Sequence, residues 1–160
     1  FGNFPQIVDS VSCIAKYTDD MISNIWYSKA ALGERNGLQV RAFGDEGSAK
    51  WVQEFPEQIY FADNRGNRSI IDRASPNLVV ANQPRYTRFK AGHPAGFIEA
   101  FANYYYDVAD AIIRYKGGDI EPFTGECFGL EEAHEGLGFL EPVAASARSG
   151  AWEEIDYAER

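Results

Sequence analysis

Alternating apolar and polar residues dominate the first half of the chain. Val11, Cys13, Ala15 and Tyr17 share one face of the segment from Ser10 to Tyr17, the period-2 signature of a half-buried strand. Thr18-Asp19-Asp20 is a turn signal, and Met21 to Ala30 predicts a second strand rich in Ile, Trp and Tyr. Gly33-Glu34-Arg35-Asn36-Gly37 breaks that strand, and Leu38 to Phe43 alternates again. Gly44-Asp45-Glu46-Gly47 reads as a hairpin turn whose glycines are placed for positive φ. Beyond it, Ala49, Trp51 and Gln53 fall on one face and Lys50 and Val52 on the other. Gln58 to Ala62 and Arg68 to Asp72 are two further short strands, joined by the turn Asp63-Asn64-Arg65-Gly66-Asn67. Strands in succession with tight turns predict an antiparallel meander, not parallel crossovers.

The period changes after an irregular stretch from Pro76 to Ala91. Ile98, Phe101, Tyr105, Val108 and Ile112 stand at 3-4-3-4 spacing, one apolar stripe of a helix from about Ala95 to Tyr115. Gly117-Gly118 ends it. Leu130, Ala133, Leu137, Leu140, Ala144 and Ala147 predict a second helix from about Phe128 to Arg148, closed by Gly150. Pro142 inside that helix removes a backbone hydrogen bond and predicts a bend near Gly138. The fold class expected is α+β: an open, mostly antiparallel sheet with helices packed on one face, a two-layer sandwich. The uncovered face carries Trp and Tyr side chains, a surface suited to pairing with another copy.

Length and charge narrow the function. The 160 residues are one domain's worth, and 45% hydrophobic with 14% aromatic residues is enough to fill a core. A net charge of −9 repels phosphate backbones and anionic headgroups, which argues against nucleic-acid and membrane partners. No apolar run approaches the roughly 18 residues that span a bilayer. The opening Phe1-Gly2-Asn3-Phe4-Pro5 has neither an initiator Met nor a signal-peptide pattern. That predicts an excised piece of something longer, in the cytoplasm. Cys13 and Cys127 have no C-x-x-C spacing, so reduced, partly buried thiols are expected. Asn67-Arg68-Ser69 matches a glycosylation sequon, a three-residue pattern with no weight where no export signal accompanies it.

Most catalytic motifs are missing. There is no G-x-G-x-x-G, no G-x-x-x-x-G-K-[ST] and no G-x-S-x-G. Glu131 and His134 stand at i, i+3 on the second predicted helix, half of a di-iron motif whose other half is absent. A solvated helix face explains them better, and no metal is expected. His93 differs because of its surroundings, Ala91-Gly92-His93-Pro94-Ala95-Gly96-Phe97. Two glycines and a proline shape a loop that leads into a helix N-terminus, where free backbone N–H groups attract ligand oxygens. The histidine there either binds a substrate or holds the loop.

Gly92-His93-Pro94-Ala95-Gly96-Phe97-Ile98-Glu99-Ala100-Phe101 resembles the GHPEG[YF]xEAF signature in the C-terminal domain of the Gfo/Idh/MocA oxidoreductases. This is the group of glucose–fructose oxidoreductase and inositol dehydrogenase. Other pieces agree in order. Asp9 to Ser12 resembles the family's first sheet strand, Ala31 to Leu38 its A-x-G-x-x-N-x-L segment, and Phe43 to Trp51 its G-x-x-G-S hairpin. Gly129 through Trp152 resembles its closing helix, ending S-x-x-x-G-x-W. Ala95 stands where the family usually has Glu, and Pro142 where it has a plain helix former.

The resemblance implies a substrate-binding and oligomerisation domain, residues 1–160, of an NAD- or NADP-dependent enzyme acting on a sugar or polyol. The Rossmann domain that binds the cofactor would precede it, and no cofactor is expected on this chain. The family's Glu-Lys-Pro lysine and its Asp-x-x-x-His pair do not map here: Phe89 and Leu130 stand four residues before His93 and His134. No catalytic residue is therefore carried over. His93, Arg35 and Asn36 are candidate polyol contacts, with Trp26 or Tyr27 as a stacking surface. A stand-alone, non-catalytic binding or dimerisation module of the same fold is the alternative.

Overall fold

The computed structural model describes residues 8–119 and 127–155; the opening segment Phe1 to Pro5 lies outside the described residues. Among the described residues eight elements follow in order: β1 (Ser10–Lys16), β2 (Ile22–Ser28), β3 (Gln39–Gly44), β4 (Gly47–Val52), β5 (Gln58–Asp63), β6 (Arg68–Asp72), α1 (Phe97–Lys116) and α2 (Leu130–Ser149). The class is α+β, and all strand pairs are antiparallel. The strands form two sheets, β1-β2 and β3-β4-β5-β6. The chain groups into two compact units, one within 1–35 with 133–160 and the other within 36–132.

In the first unit β1 and β2 form a hairpin with Cys13 opposite Ile25 and Ser12 opposite Trp26. Its half-buried face holds Val11, Cys13, Ala15, Ser23 and Ile25, as the alternation predicts. Trp26, Ile14 and Ile22 stand on the exposed face. Tyr17 donates its N–H to the Met21 carbonyl at 2.9 Å to close the turn. Asp20 sits there at φ 63°, a conformation Asp tolerates better than most residues. Most of α2 belongs to this unit and runs through Pro142 as one helix, with Arg148 in its last turn. Gly150 ends it at φ 69°, its N–H on the Ser146 carbonyl at 2.8 Å, the left-handed stop that favours glycine.

The second unit is a four-strand meander followed by α1. One sheet face reads Val40, Trp51, Ile59 and Ile71 across the strands, flanked by Ala42, Ala49 and Phe61. The β3–β4 turn corrects the sequence reading. Gly44 and Gly47 pair with each other across the hairpin, and neither has positive φ. Gly47 is needed for a different reason: a Cβ on it would meet the Ala62 backbone of β5, with the carbonyl carbon 3.3 Å away. Close strand approach, not turn geometry, selects the glycine.

At its C-terminal end α1 stops at Gly117-Gly118, with Gly118 at φ 93° and its N–H on the Tyr115 carbonyl at 3.0 Å. Its buried residues are Asp107 and Ala111. Ile98, Phe101, Tyr105 and Ile112 of the predicted stripe are exposed in this chain. Phe97, Phe101 and Tyr105 instead stack along the helix at 4.7 and 6.0 Å between ring centroids. Val52, Ala111 and Cys127 are the buried apolar residues among those described.

Candidate functional site

The segment from Arg73 to Gly96 has no helix or strand, so its backbone polar groups need partners from turns and side chains. Turn bonds such as Asn82 N–H to the Leu78 carbonyl supply some, and the side chains of Asn82 and Arg73 supply others. Asn82 donates its amide to the carbonyls of Ser75 and Leu78, at 2.7 and 2.9 Å. Arg73, just past β6, donates to the carbonyls of Phe89 (3.0 Å), Lys90 (3.0 Å) and His93 (2.8 Å). Its Nε forms an ion pair with Glu57 from the β4–β5 turn. Arg85 reaches α1, where its Nη2 lies 2.7 Å from Asp107 Oδ1 and 2.6 Å from Asp110 Oδ2.

Asp107 is the buried charge of this network, and Tyr86 donates its hydroxyl to the other carboxylate oxygen at 3.0 Å. Arg85 also lies 5.7 Å from the Tyr86 ring and 5.6 Å from the Tyr106 ring, with Arg88 5.5 Å from Tyr106. Such distances are within the range of cation–π attraction. Burial opposes the charge on Arg85, but Asp107, Tyr86 and Asp110 outweigh it and raise its pKa. The loop is thereby fastened to the polar side of α1.

His93 sits at the end of a tight turn in which its own N–H donates to the Lys90 carbonyl at 3.1 Å. Gly92 precedes it at φ 94°, a left-handed position that a side chain would strain. The His93 residue is exposed. Free N–H groups are predicted at the adjoining helix start, and the Glu99 carboxylate accepts one of them, the Gly96 N–H, at 3.0 Å. At α2, Glu132 likewise accepts the Gly129 N–H at 2.7 Å, and hydrogen bonds from its own N–H and that of Gly129 lower its pKa. Each helix brings its own anion to its N-terminus.

The other proposed contacts are placed as follows. Trp26 stands on β2, 62% exposed, with Tyr27 beside it opposite Val11. Arg35 follows a turn at Gly33, whose φ is 91°, and is exposed, as is Asn36 in the bend before β3. Trp26 and Arg35 belong to the first unit, Asn36 and His93 to the second. Glu131 and His134 are exposed on α2. Among the described residues no group of three His, Cys, Asp or Glu side chains gathers as metal ligands would, and no helix is long and apolar enough to cross a membrane. Sequence reading missed Arg73, Glu57, Arg85 and Asp107. Their pairings span 16 to 25 residues, which no local pattern reveals.

No family model and no curated protein matches the chain. Solved structures do. An inositol dehydrogenase homologue from Azotobacter vinelandii, complexed with NAD+, is 26% identical with a TM-score of 0.79 over 91% of this chain. An oxidoreductase from Pseudomonas syringae is 25% identical with a TM-score of 0.76 over 88%. The chain is similar in fold and sequence to a domain of the Gfo/Idh/MocA-like oxidoreductases. A second structure of the Azotobacter vinelandii inositol dehydrogenase homologue, complexed with NADH and myo-inositol, is 27% identical over 71% of the chain with a TM-score of 0.63. This chain spans 39%, 38% and 30% of those three structures' own chains. Its GHPAGF loop, the feature that carried the resemblance in sequence, is the segment that Arg73 and Glu99 tie down. The departure at Ala95 leaves the capping carboxylate, Glu99, in place.

Proposed function

We propose that this domain is the substrate-facing and oligomerising part of an NAD(P)-dependent oxidoreductase that acts on a hydroxyl of a sugar or inositol-like polyol. The observation that carries the reading is the match over 91% of the chain to an NAD+-complexed inositol dehydrogenase homologue. The homologue complexed with NADH and myo-inositol supports the substrate class. A nicotinamide cofactor, held by another part of the parent, supplies the hydride acceptor. This chain's part is to orient the polyol. His93 would hydrogen-bond a hydroxyl from its turn, with Asn36 of the same unit a second candidate contact; Arg35 and Trp26, in the other unit, are candidate contacts taken separately.

The exposed face of the β1–β2 hairpin, with Trp26, Ile14 and Ile22, is the surface assigned to pairing of copies. Sedimentation that shows only monomer at high micromolar concentration contradicts that assignment. For the activity, the test is NAD reduction with myo-inositol by the parent polypeptide and by the 160-residue chain alone. The reading expects turnover from the first, with His93→Asn raising KM, and none from the second. Turnover by the isolated chain at an ordinary dehydrogenase rate overturns it. A parent that neither binds nor reduces NAD favours a non-catalytic module of the same fold.

A further inference from the structure

We infer that Arg73, held by Glu57, is the positioning residue that sets where His93 stands. One guanidinium makes four contacts. Three of its N–H donations end on the carbonyls of Phe89, Lys90 and His93. These three residues bracket the turn whose left-handed corner is Gly92. The carbonyls converge because the turn folds back on itself, with the His93 N–H on the Lys90 carbonyl. A planar fork with five donors can serve several acceptors at once, which a lysine ammonium cannot do with the same geometry. Beside the remaining edge, Nε, stands the Glu57 carboxylate, an ion pair rather than a further hydrogen bond.

Only 16% of the Arg73 side chain is exposed, and the bonds that it donates are charge-assisted. The arrangement links three separate parts of the second unit: the β4–β5 turn, the end of β6 and the His93 turn. It leaves the imidazole itself out of the clamp, consistent with a ring kept available for a ligand. Arg73 touches no reacting atom in this account. It acts through the backbone of its neighbours.

The test uses the 160-residue chain with Arg73→Lys, Arg73→Gln and Glu57→Gln. Tryptic cleavage after Lys90 and the NMR signal of the His93 ring report the loop; cleavage after Lys29 and the His134 ring report the rest. Arg73→Lys keeps the charge and loses the fork. We expect cleavage after Lys90 to accelerate about tenfold, the factor from one lost charge-assisted hydrogen bond, and the His93 signal to move. Cleavage after Lys29 and the His134 signal stay as they were. Wild-type cleavage after Lys90 and an unmoved His93 signal in Arg73→Lys overturn the inference. If either Arg73 variant unfolds throughout, Glu57→Gln decides: a change confined to the His93 turn supports the clamp, and no change overturns it. Only the functional meaning of His93 rests on the polyol reading. A His93→Asn chain that binds myo-inositol as the wild type does, while Arg73→Lys still frees the loop, removes that reading and leaves the clamp standing.

Discussion

Replacing Gly47 by alanine puts a methyl group where β4 and β5 leave no room for one. The new Cβ would lie 3.3 Å from the Ala62 carbonyl carbon and 3.3 Å from Asp63 Cα, with the Ala62 oxygen nearer still. These are backbone atoms of a paired strand, Gly47 opposite Asp63 and Ser48 opposite Ala62. They cannot rotate aside, so the hairpin must lift from β5. Forced overpacking of this kind costs about 1–3 kcal/mol. Taking about 2 kcal/mol, and about 2–4 °C per kcal/mol for a chain of this size, the melting temperature falls by roughly 4–8 °C. Gly44 is the control on the same turn. Its nearest such contact is 4.0 Å away and its φ is not positive, so Gly44→Ala leaves stability unchanged or raises it by a few tenths of a kcal/mol. Circular-dichroism melts of the two variants and the wild type read the difference. If Gly47→Ala melts with the wild type, or Gly44→Ala falls as far, the close approach of β4 to β5 is wrong.

Other outcomes follow from the polar contacts. Asp107→Ala strips Arg85 and Tyr86 of a buried acceptor and lowers the melting temperature more than Asp110→Ala, whose carboxylate is 47% exposed; equal effects contradict the burial assigned to Asp107. Glu99→Ala frees the Gly96 N–H and costs about 0.5–1 kcal/mol, which the same melts detect. The Asp63 pKa is lowered by hydrogen bonds from the Asn67 side chain and from nearby backbone N–H groups, and that of Glu132 is lowered by backbone N–H groups. A depressed carboxylate pKa contributes stability that is full above the ordinary values, 3.8 and 4.5, and is lost as pH falls through the folded ones. Melting temperature therefore drops on acidification below about pH 4.5, and Asp63→Asn with Glu132→Gln flattens that drop.

What sequence could reveal was set by period. The Val11-Cys13-Ala15 alternation and the turn at Asp63 to Asn67 are local patterns, and both reappear as the half-buried face of β1 and the β5–β6 turn. The helix ends were legible for the same reason, since Gly118 and Gly150 are needed at positive φ. The hairpin glycines were located correctly and explained wrongly, because crowding against β5 depends on a strand 11 or more residues away. The α1 stripe is apolar in sequence, yet Ile98 is 79% exposed. The side of α1 that is buried in this chain is the one Arg85 and Tyr86 reach. The Arg73 clamp had no signature at all: an arginine after a strand becomes a positioning residue only when the fold brings three carbonyls to it. Among the proposed polyol contacts, only His93 lay in a motif long enough to forecast its local geometry.

The account depends most on the claim that this domain orients a polyol for a nicotinamide cofactor held elsewhere in the parent. NADH formation from NAD and myo-inositol, followed for the parent polypeptide, its His93→Asn variant and the 160-residue chain, tests it directly. The account predicts turnover by the parent, a raised KM in the variant and no turnover by the chain alone. NADH formation by the chain alone, or a His93→Asn parent with unchanged KM and kcat, would contradict it.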